Sequence, residues 1–307
     1  MFSDQFPSCG GINHTRLEID GAVYEVEWQR NVIRSDDAPR LVVISHITNQ
    51  RALDLLNTCI NGVRKFTPEE HELWVVDNNS PREWLTSALE IPWINWAFNR
   101  TEPRPPEARN QAGDVKNDLD QTNWGSYANA IGLQIGACLI ETTCRYLMTM
   151  HMDTMPVKNE WLSYLRSKID QGTAAAGVRM DHTRTREGVL HVLGYMVDFQ
   201  VFRRLGLDFF PNLPDFDVGD EVTVRLREAG YDVFACRNSF WDQELVKLIP
   251  TESPLRNLEV DRSFDDNDDV IFLHLGRGVR RSTGNHTRGV SLEDWLSVTR
   301  DILAKDN

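Results

Sequence analysis

The chain has 307 residues, of which 41% are hydrophobic and 26% charged, with a formal net charge of −13. That length and composition suit a globular protein of one large α/β domain or two small ones. The acidic balance repels phosphate backbones and anionic lipid, which argues against nucleic acid and membrane surfaces as partners.

Met1 to Gly11 carries Asp4 and no apolar run, so it does not read as a secretory leader. No stretch approaches the ~20 apolar residues of a membrane span. Cys9, Cys59, Cys138, Cys144 and Cys236 form no CxxC pair, so reduced thiols, no zinc site and a cytoplasmic location are expected. Residues 15 to 30 predict a hairpin about Asp20-Gly21, with Leu17, Ile19, Val23, Tyr24 and Val26 on its arms. Asp36, Asp37 and Pro39 form a linker, which places an N-terminal extension at 1–38.

From Leu41 the pattern changes. Leu41-Val42-Val43-Ile44 is a continuous apolar run, as expected of a strand covered on both faces. Arg51 to Lys65 has helical spacing. Leu73-Trp74-Val75-Val76 is a second buried strand, Pro81 to Leu89 a short helix, and Trp93 to Phe98 a third strand. Strand alternating with helix predicts a parallel sheet wound with helices. Residues 100 to 123 are rich in Pro, Asp and Asn and read as a long loop. Helical spacing returns from Ser126 to Thr143. Tyr146 to Met150 is a fourth strand, Glu160 to Ile169 a helix, and Ala174 to Met180 strand-like. A helix over Val218 to Glu228 closes at Gly230 before a strand at Tyr231 to Cys236. Val270 to Leu273 is a last strand. Leu292 to Leu303 is a final helix, within a C-terminal segment at 291–307.

In open α/β sheets, ligands lie beyond the carboxyl ends of the strands. Those ends carry Asp77-Asn78-Asn79-Ser80, His151-Met152-Asp153-Thr154 and His274-Leu275-Gly276. Each group alone is an ordinary turn or cap; three in order suggest one crevice. There is no Walker loop, no Gly-x-Gly-x-x-Gly after a strand and no Gly-x-Ser-x-Gly elbow. Asp265-Asp266-Asn267-Asp268-Asp269 lacks the glycine and terminal glutamate of an EF-hand and reads as a charged surface turn.

From Leu41 to His274 the order of these segments resembles the family 2 glycosyltransferases of GT-A fold. The segments that carry the likeness are Val42 to Asn49, Leu73 to Ser80, Trp124 to Gly132, Tyr146 to Pro156, and Gly219-Asp220-Glu221 leading to Arg225 to Tyr231. The resemblance implies a GT-A-type, mostly parallel nucleotide-binding sheet over residues 39–290. It also implies transfer of a sugar from a nucleotide-diphosphate donor, first a UDP-sugar, to an acceptor hydroxyl with inversion. The acceptor would be a glycan, a lipid-linked molecule or a small molecule. Ser45, Asn49, Asp77, Asn79, Asn129 and Arg277 would contact the nucleotide sugar. Asp153, His151 and His274 would hold Mn²⁺ or Mg²⁺, which offsets the charge of the leaving diphosphate. The family usually places an Asp-x-Asp motif here, and His151 stands at its first position; imidazole tilts the expectation to manganese. Asp220, with Asp217 and Glu221 as rivals, would be the base. Two other readings stay open: a catalytically degenerate sugar- or protein-binding domain, and a sugar nucleotidyltransferase. The latter normally has a glycine-rich basic loop after its first strand, which Ser45 to Asn49 is not.

Overall fold

The computed structural model describes residues 11–85, 91–105, 119–181, 188–212 and 215–305. Segment 1–10 with Cys9, the end of the helix expected over Pro81 to Leu89, and most of the loop expected at 100 to 123 lie outside the described residues. No helix among the described residues is long and apolar enough to cross a membrane.

Strands β1 (Ile12–Ile19) and β2 (Ala22–Gln29) form the expected hairpin. Its turn residues Asp20 and Gly21 have φ of 51° and 74°, a region open to glycine and tolerated by aspartate. Alternation buries Leu17, Ile19, Tyr24 and Val26. The hairpin is continuous with the main sheet, because β2 pairs antiparallel with β5 (Asn95–Asn99).

The two apolar runs are β3 (Arg40–Ser45) and β4 (Glu72–Asn78), buried at every position. Two helices explain this. Leu41 and Val43 pack on α1 (Gln50–Phe66), while Val42 and Ile44 face α2 (Leu119–Leu139). With β5 and β6 (Tyr146–His151) they make a parallel centre in the order β5-β4-β3-β6. Beyond β6 the sheet turns antiparallel through β11 (Gly194–Asp198) to β8 (Ala175–Gly177), and β12 (Val233–Ala235) closes it parallel to β8. The nine-stranded sheet is therefore parallel at its core and antiparallel beside it. Helix α3 (Trp161–Asp170) covers the core on the α1 side. Helices α4 (Phe199–Arg204) and α5 (Asp220–Glu228) contribute to the opposite core.

A second sheet has four strands in the order β13-β14-β15-β7: Arg237–Asn238 (β13), Asp261–Phe264 (β14), Val270–His274 (β15) and Thr154–Pro156 (β7). A two-residue ladder joins β9 (Met180–Asp181) to β10 (Val189–Leu190). The chain ends with α6 (Gly278–Ser282) and α7 (Leu292–Ala304). Trp295 and Leu296 of α7 join the core built on α1, so this helix belongs to the same body.

At the other end of the parallel strands Glu72 is fully buried. Its Oε1 accepts from Arg30 Nη2 and the Arg34 amide, each at 2.7 Å, and its Oε2 from Asn95 Nδ2 at 3.0 Å and Trp74 Nε1 at 3.1 Å. Arg40 stands 3.4 Å away. A buried carboxylate between two buried guanidiniums persists because every acceptor position is filled. Arg30 and Arg40 also pair with Glu141, so Glu72→Ala should cost about 1.5–3 kcal/mol, the range for lost bonds to a charged group, rather than that of a stranded charge. Urea denaturation measures it; a cost below ~1 kcal/mol, the range of an exposed pair, would contradict this role.

Candidate active site

Strands β4, β3 and β6 end side by side. In register, Ser45 lies beside Asp77 and Ile44 beside His151. The Met152 amide donates to the Ile44 carbonyl at 3.2 Å, which turns the chain over the sheet end and delivers Asp153. His274 arrives from the second sheet. Pairing of β15 with β7 sets His274 opposite Thr154, and the Leu275 amide donates to the Asp153 carbonyl at 3.0 Å. His274 Nε2 then stands 3.8 Å from Asp153 Oδ2, both residues being buried.

The other side of the imidazole is fixed. His274 Nδ1 is 2.9 Å from Asp261 Oδ2, and Arg179 Nη1 is 3.0 Å from the same carboxylate. Burial pushes the Asp261 pKa up. The bond to His274 and the charge of Arg179 outweigh it and hold the carboxyl below its usual range. Nδ1 thus faces an acceptor in the Asp261 carboxylate and a donor in Arg179 Nη1, 3.0 Å away; the tautomer that donates to Asp261 carries its proton on Nδ1. In the neutral ring Nε2 is then a lone pair aimed at Asp153. Two acceptors facing each other require a proton or a cation between them.

Asp153 is held as firmly. Its Oδ2 accepts the Gly278 amide at 2.8 Å. A Cβ at position 278 would come within 2.5 Å of Asp153 Cβ, so only glycine lets α6 approach this carboxylate. His151 adds a third imidazole atom to the locality. Its Nε2 is buried and has no hydrogen-bond partner among the described residues. Burial pushes its pKa down to about 4, with His274 acting the same way and Asp153 and Asp217 opposing. An orphaned buried nitrogen beside a lone-pair–carboxylate pair is what a missing ligand would satisfy.

The residues expected to contact a nucleotide separate into two groups. Asp77 is fully buried. Its Oδ2 accepts the Ser80 amide at 3.0 Å and its Oδ1 takes the hydroxyls of Ser80 and Ser45, the latter at 3.4 Å. Burial pushes its pKa up, against those bonds from Ser80. Asp77 and Ser45 thus hold each other and the turn. Asn49 is the N-cap of α1 and accepts the Ala52 amide at 3.0 Å. Asn79 (φ 64°) and Asn129 are half-buried, and Arg277 is exposed. Asn78 links the first two, donating to the Ala128 carbonyl at 2.6 Å. Arg281, by contrast, is buried and donates to the Gly276 and Val290 carbonyls at 2.8 and 2.6 Å, closing its own loop.

The candidate bases also differ. Asp220 is fully buried and its Oδ2 accepts the Asp217 amide at 2.9 Å. Glu221 points toward Arg225, 3.7 Å away, on the face of α5. Asp217 is half-buried and lies near enough to His151 to act on its charge. The sequence reading does not single out Asp261 or Arg179. Asp261 begins a strand with Arg262 inside it, which gives no apolar signal.

Among the described residues no group of three or more His, Cys, Asp or Glu side chains is gathered closely enough to hold a metal ion unaided. The facing pair of His274 Nε2 and Asp153 Oδ2, beside the orphaned His151, fits a hard cation that completes its shell with water and phosphate oxygens. It does not fit a closed structural cage.

No protein-family model and no curated protein matches the chain. Solved structures with some likeness include galactosyltransferase LgtC in complex with donor and acceptor sugar analogs, at 11% identity over 87% of this chain and 95% of that one, TM-score 0.49. A mutant of Drosophila β1,4-galactosyltransferase 7 in complex with manganese, UDP-Gal and xylobiose is 11% identical over 77% and 93%, TM-score 0.36. The 4-diphosphocytidyl-2C-methyl-D-erythritol synthase of Anaerococcus prevotii is 9% identical over 66% and 89%, TM-score 0.41.

The His274 arrangement is directly readable. Nitrogen-15 NMR at neutral pH should show a neutral His274 as the Nδ1–H tautomer, and Asp261→Leu should shift it toward Nε2–H. An Nε2–H majority in the unaltered protein would refute the assignment.

Proposed function

We propose that this protein is a metal-dependent glycosyltransferase that moves a sugar from a nucleotide-diphosphate donor, first a UDP-sugar, to an acceptor hydroxyl with inversion. What supports the reading is the facing pair at the sheet end: His274 Nε2, backed by Asp261, and Asp153 Oδ2, backed by the Gly278 amide, stand 3.8 Å apart, a spacing that suits two ligands of one cation. The sequence resemblance from Leu41 to His274 points the same way.

Asp153 and His274 would hold Mn²⁺ or Mg²⁺, with His151 alongside. The ion would supply positive charge against the diphosphate as the glycosidic bond breaks. Asn79, Asn129 and the exposed Arg277 are the side chains left available for the donor, Arg277 with a guanidinium suited to phosphate. Asp77, Ser45 and Asn49 serve the donor through the backbone they shape. For the acceptor proton Asp217 replaces Asp220: both accept a neighbouring amide, but Asp220 is fully buried while Asp217 is half-buried and near enough to His151 to act on its charge.

A non-catalytic sugar-binding reading draws support from the incomplete cage and from His151 in place of an acid. Turnover separates the two. Purified protein with Mn²⁺ and a set of UDP- and GDP-sugars should hydrolyse at least one donor. Asp153→Ala should lose metal-dependent UDP binding in calorimetry while keeping its circular dichroism. Gly278→Ala, which displaces Asp153, should weaken Mn²⁺ binding by roughly 10- to 100-fold. Asp217→Asn should lower kcat by about 10²–10⁴ with donor affinity kept. UDP binding without turnover of any donor would favour the non-catalytic reading. No metal-dependent UDP binding at all would remove the transferase and leave only the non-catalytic reading.

A further inference from the structure

Phe240 and Trp241 are the only Phe and Trp side chains among the described residues that stay exposed, at 44% and 39%. They sit edge to face, centroids 4.4 Å apart with their planes at 76°. Leaving two large rings in water forgoes the burial that drives folding, so their position calls for a reason.

The turn that presents them is rigid. Asn238 and Ser239 beneath it are buried. Asn238 Oδ1 accepts the Phe240 amide at 2.7 Å, and the Asn238 carbonyl accepts the Trp241 and Asp242 amides, each at 3.2 Å. Ser239 is stitched to Arg262 of β14 in both directions, by its amide to the Arg262 carbonyl at 2.9 Å and by its hydroxyl from the Arg262 amide at 3.0 Å. The backbone that carries the rings is therefore fixed and needs no ordering when something lands on them.

The turn is also joined to the site. Arg179 lies over Phe240, its guanidinium carbon 5.1 Å from the ring centroid, and the same guanidinium binds the Asp261 carboxylate that fixes His274. Arg179 Nη1 also lies 3.0 Å from His274 Nδ1, so Phe240 is two side-chain contacts from the His274–Asp153 pair. Around the rings the exposed neighbours Asp242, Gln243 and Glu244 are polar.

We propose that Phe240 and Trp241 form the acceptor platform, on which a pyranose ring stacks with its hydroxyl directed at the Asp153–His274 site. A pyranose presents C–H bonds on one face, which the electron-rich face of an aromatic ring attracts. Its rim of hydroxyls suits the exposed Asp242 carboxylate and the Gln243 side-chain carbonyl, while the Gln243 amide nitrogen donates to Ser239 and Glu244 pairs with Lys247. A protein partner fits less well: two rings in a polar surround fall far short of the ~800 Å² per partner of a standard interface. The proposal rests on the glycosyltransferase reading, and its test keeps the two apart.

Saturation-transfer NMR on the full chain with Mn²⁺ and UDP would use methyl β-glucopyranoside, methyl β-galactopyranoside, N-acetylglucosamine and xylobiose, with open-chain mannitol as control. At least one ring sugar should respond and mannitol should not. Phe240→Ala and Trp241→Ala should each weaken that response to a dissociation constant about tenfold higher. Phe240→Tyr should keep it, and UDP binding should be unchanged in all three. No ring sugar responding in the unaltered protein, or equal responses in the Ala variants, overturns the platform. UDP binding retained in that case leaves the transferase reading standing. A sugar response lost in the Ala variants, in a protein that binds no UDP, keeps the rings as a sugar-binding surface but overturns both their acceptor role and the transferase.

Discussion

The pairing of β15 with β7 is the constraint on which the site depends. Three residue pairs, ending with His274 opposite Thr154, carry an imidazole from the far end of the chain to the rim of the parallel sheet. Without that ladder Asp153 is a lone carboxylate after a strand and His274 a histidine on an unrelated one. With it, the two face each other at 3.8 Å. The central parallel strands fix where Asp153 emerges; the small second sheet fixes what meets it.

Each member of the pair is oriented from behind, and by different means. His274 is turned by Asp261, whose carboxyl is held below its usual range by His274 itself and then by Arg179. Asp153 is turned by a backbone amide that approaches because residue 278 has no side chain. Such outer partners set ligand direction and basicity, so the chemistry resides as much in Asp261 and Gly278 as in the pair they serve. His151 Nε2 is buried without a hydrogen-bond partner, and that burial lowers the pKa of the imidazole and favours its neutral form.

The sequence made the parallel centre legible because β3 and β4 are covered on both faces and so read as unbroken apolar runs. The hairpin announced itself through Asp20-Gly21. Strand β11 escaped notice, since Gly194-Tyr-Met-Val-Asp198 is short and follows 182–187, outside the described residues. Asp153 and His274 could be nominated from their places after strands. Their contact could not, because a three-residue strand such as β7 has no periodicity to read. Asp77, Asn49 and Asp220 show the converse limit. Each is a polar residue at a strand or helix end, and each has its side chain engaged locally, in a turn, a cap or against a neighbouring amide. Residue type and position are the same for a ligand contact and a cap; only the partner atoms distinguish them.

A cation between Asp153 and His274 is the central claim, and anomalous scattering sees it directly. Crystals soaked in MnCl₂ and UDP should give a manganese peak bridging Asp153 Oδ2 and His274 Nε2, with diphosphate oxygens completing the shell. A peak in the acidic turn at Asp265 to Asp269 instead, or none at the sheet end, would contradict the account.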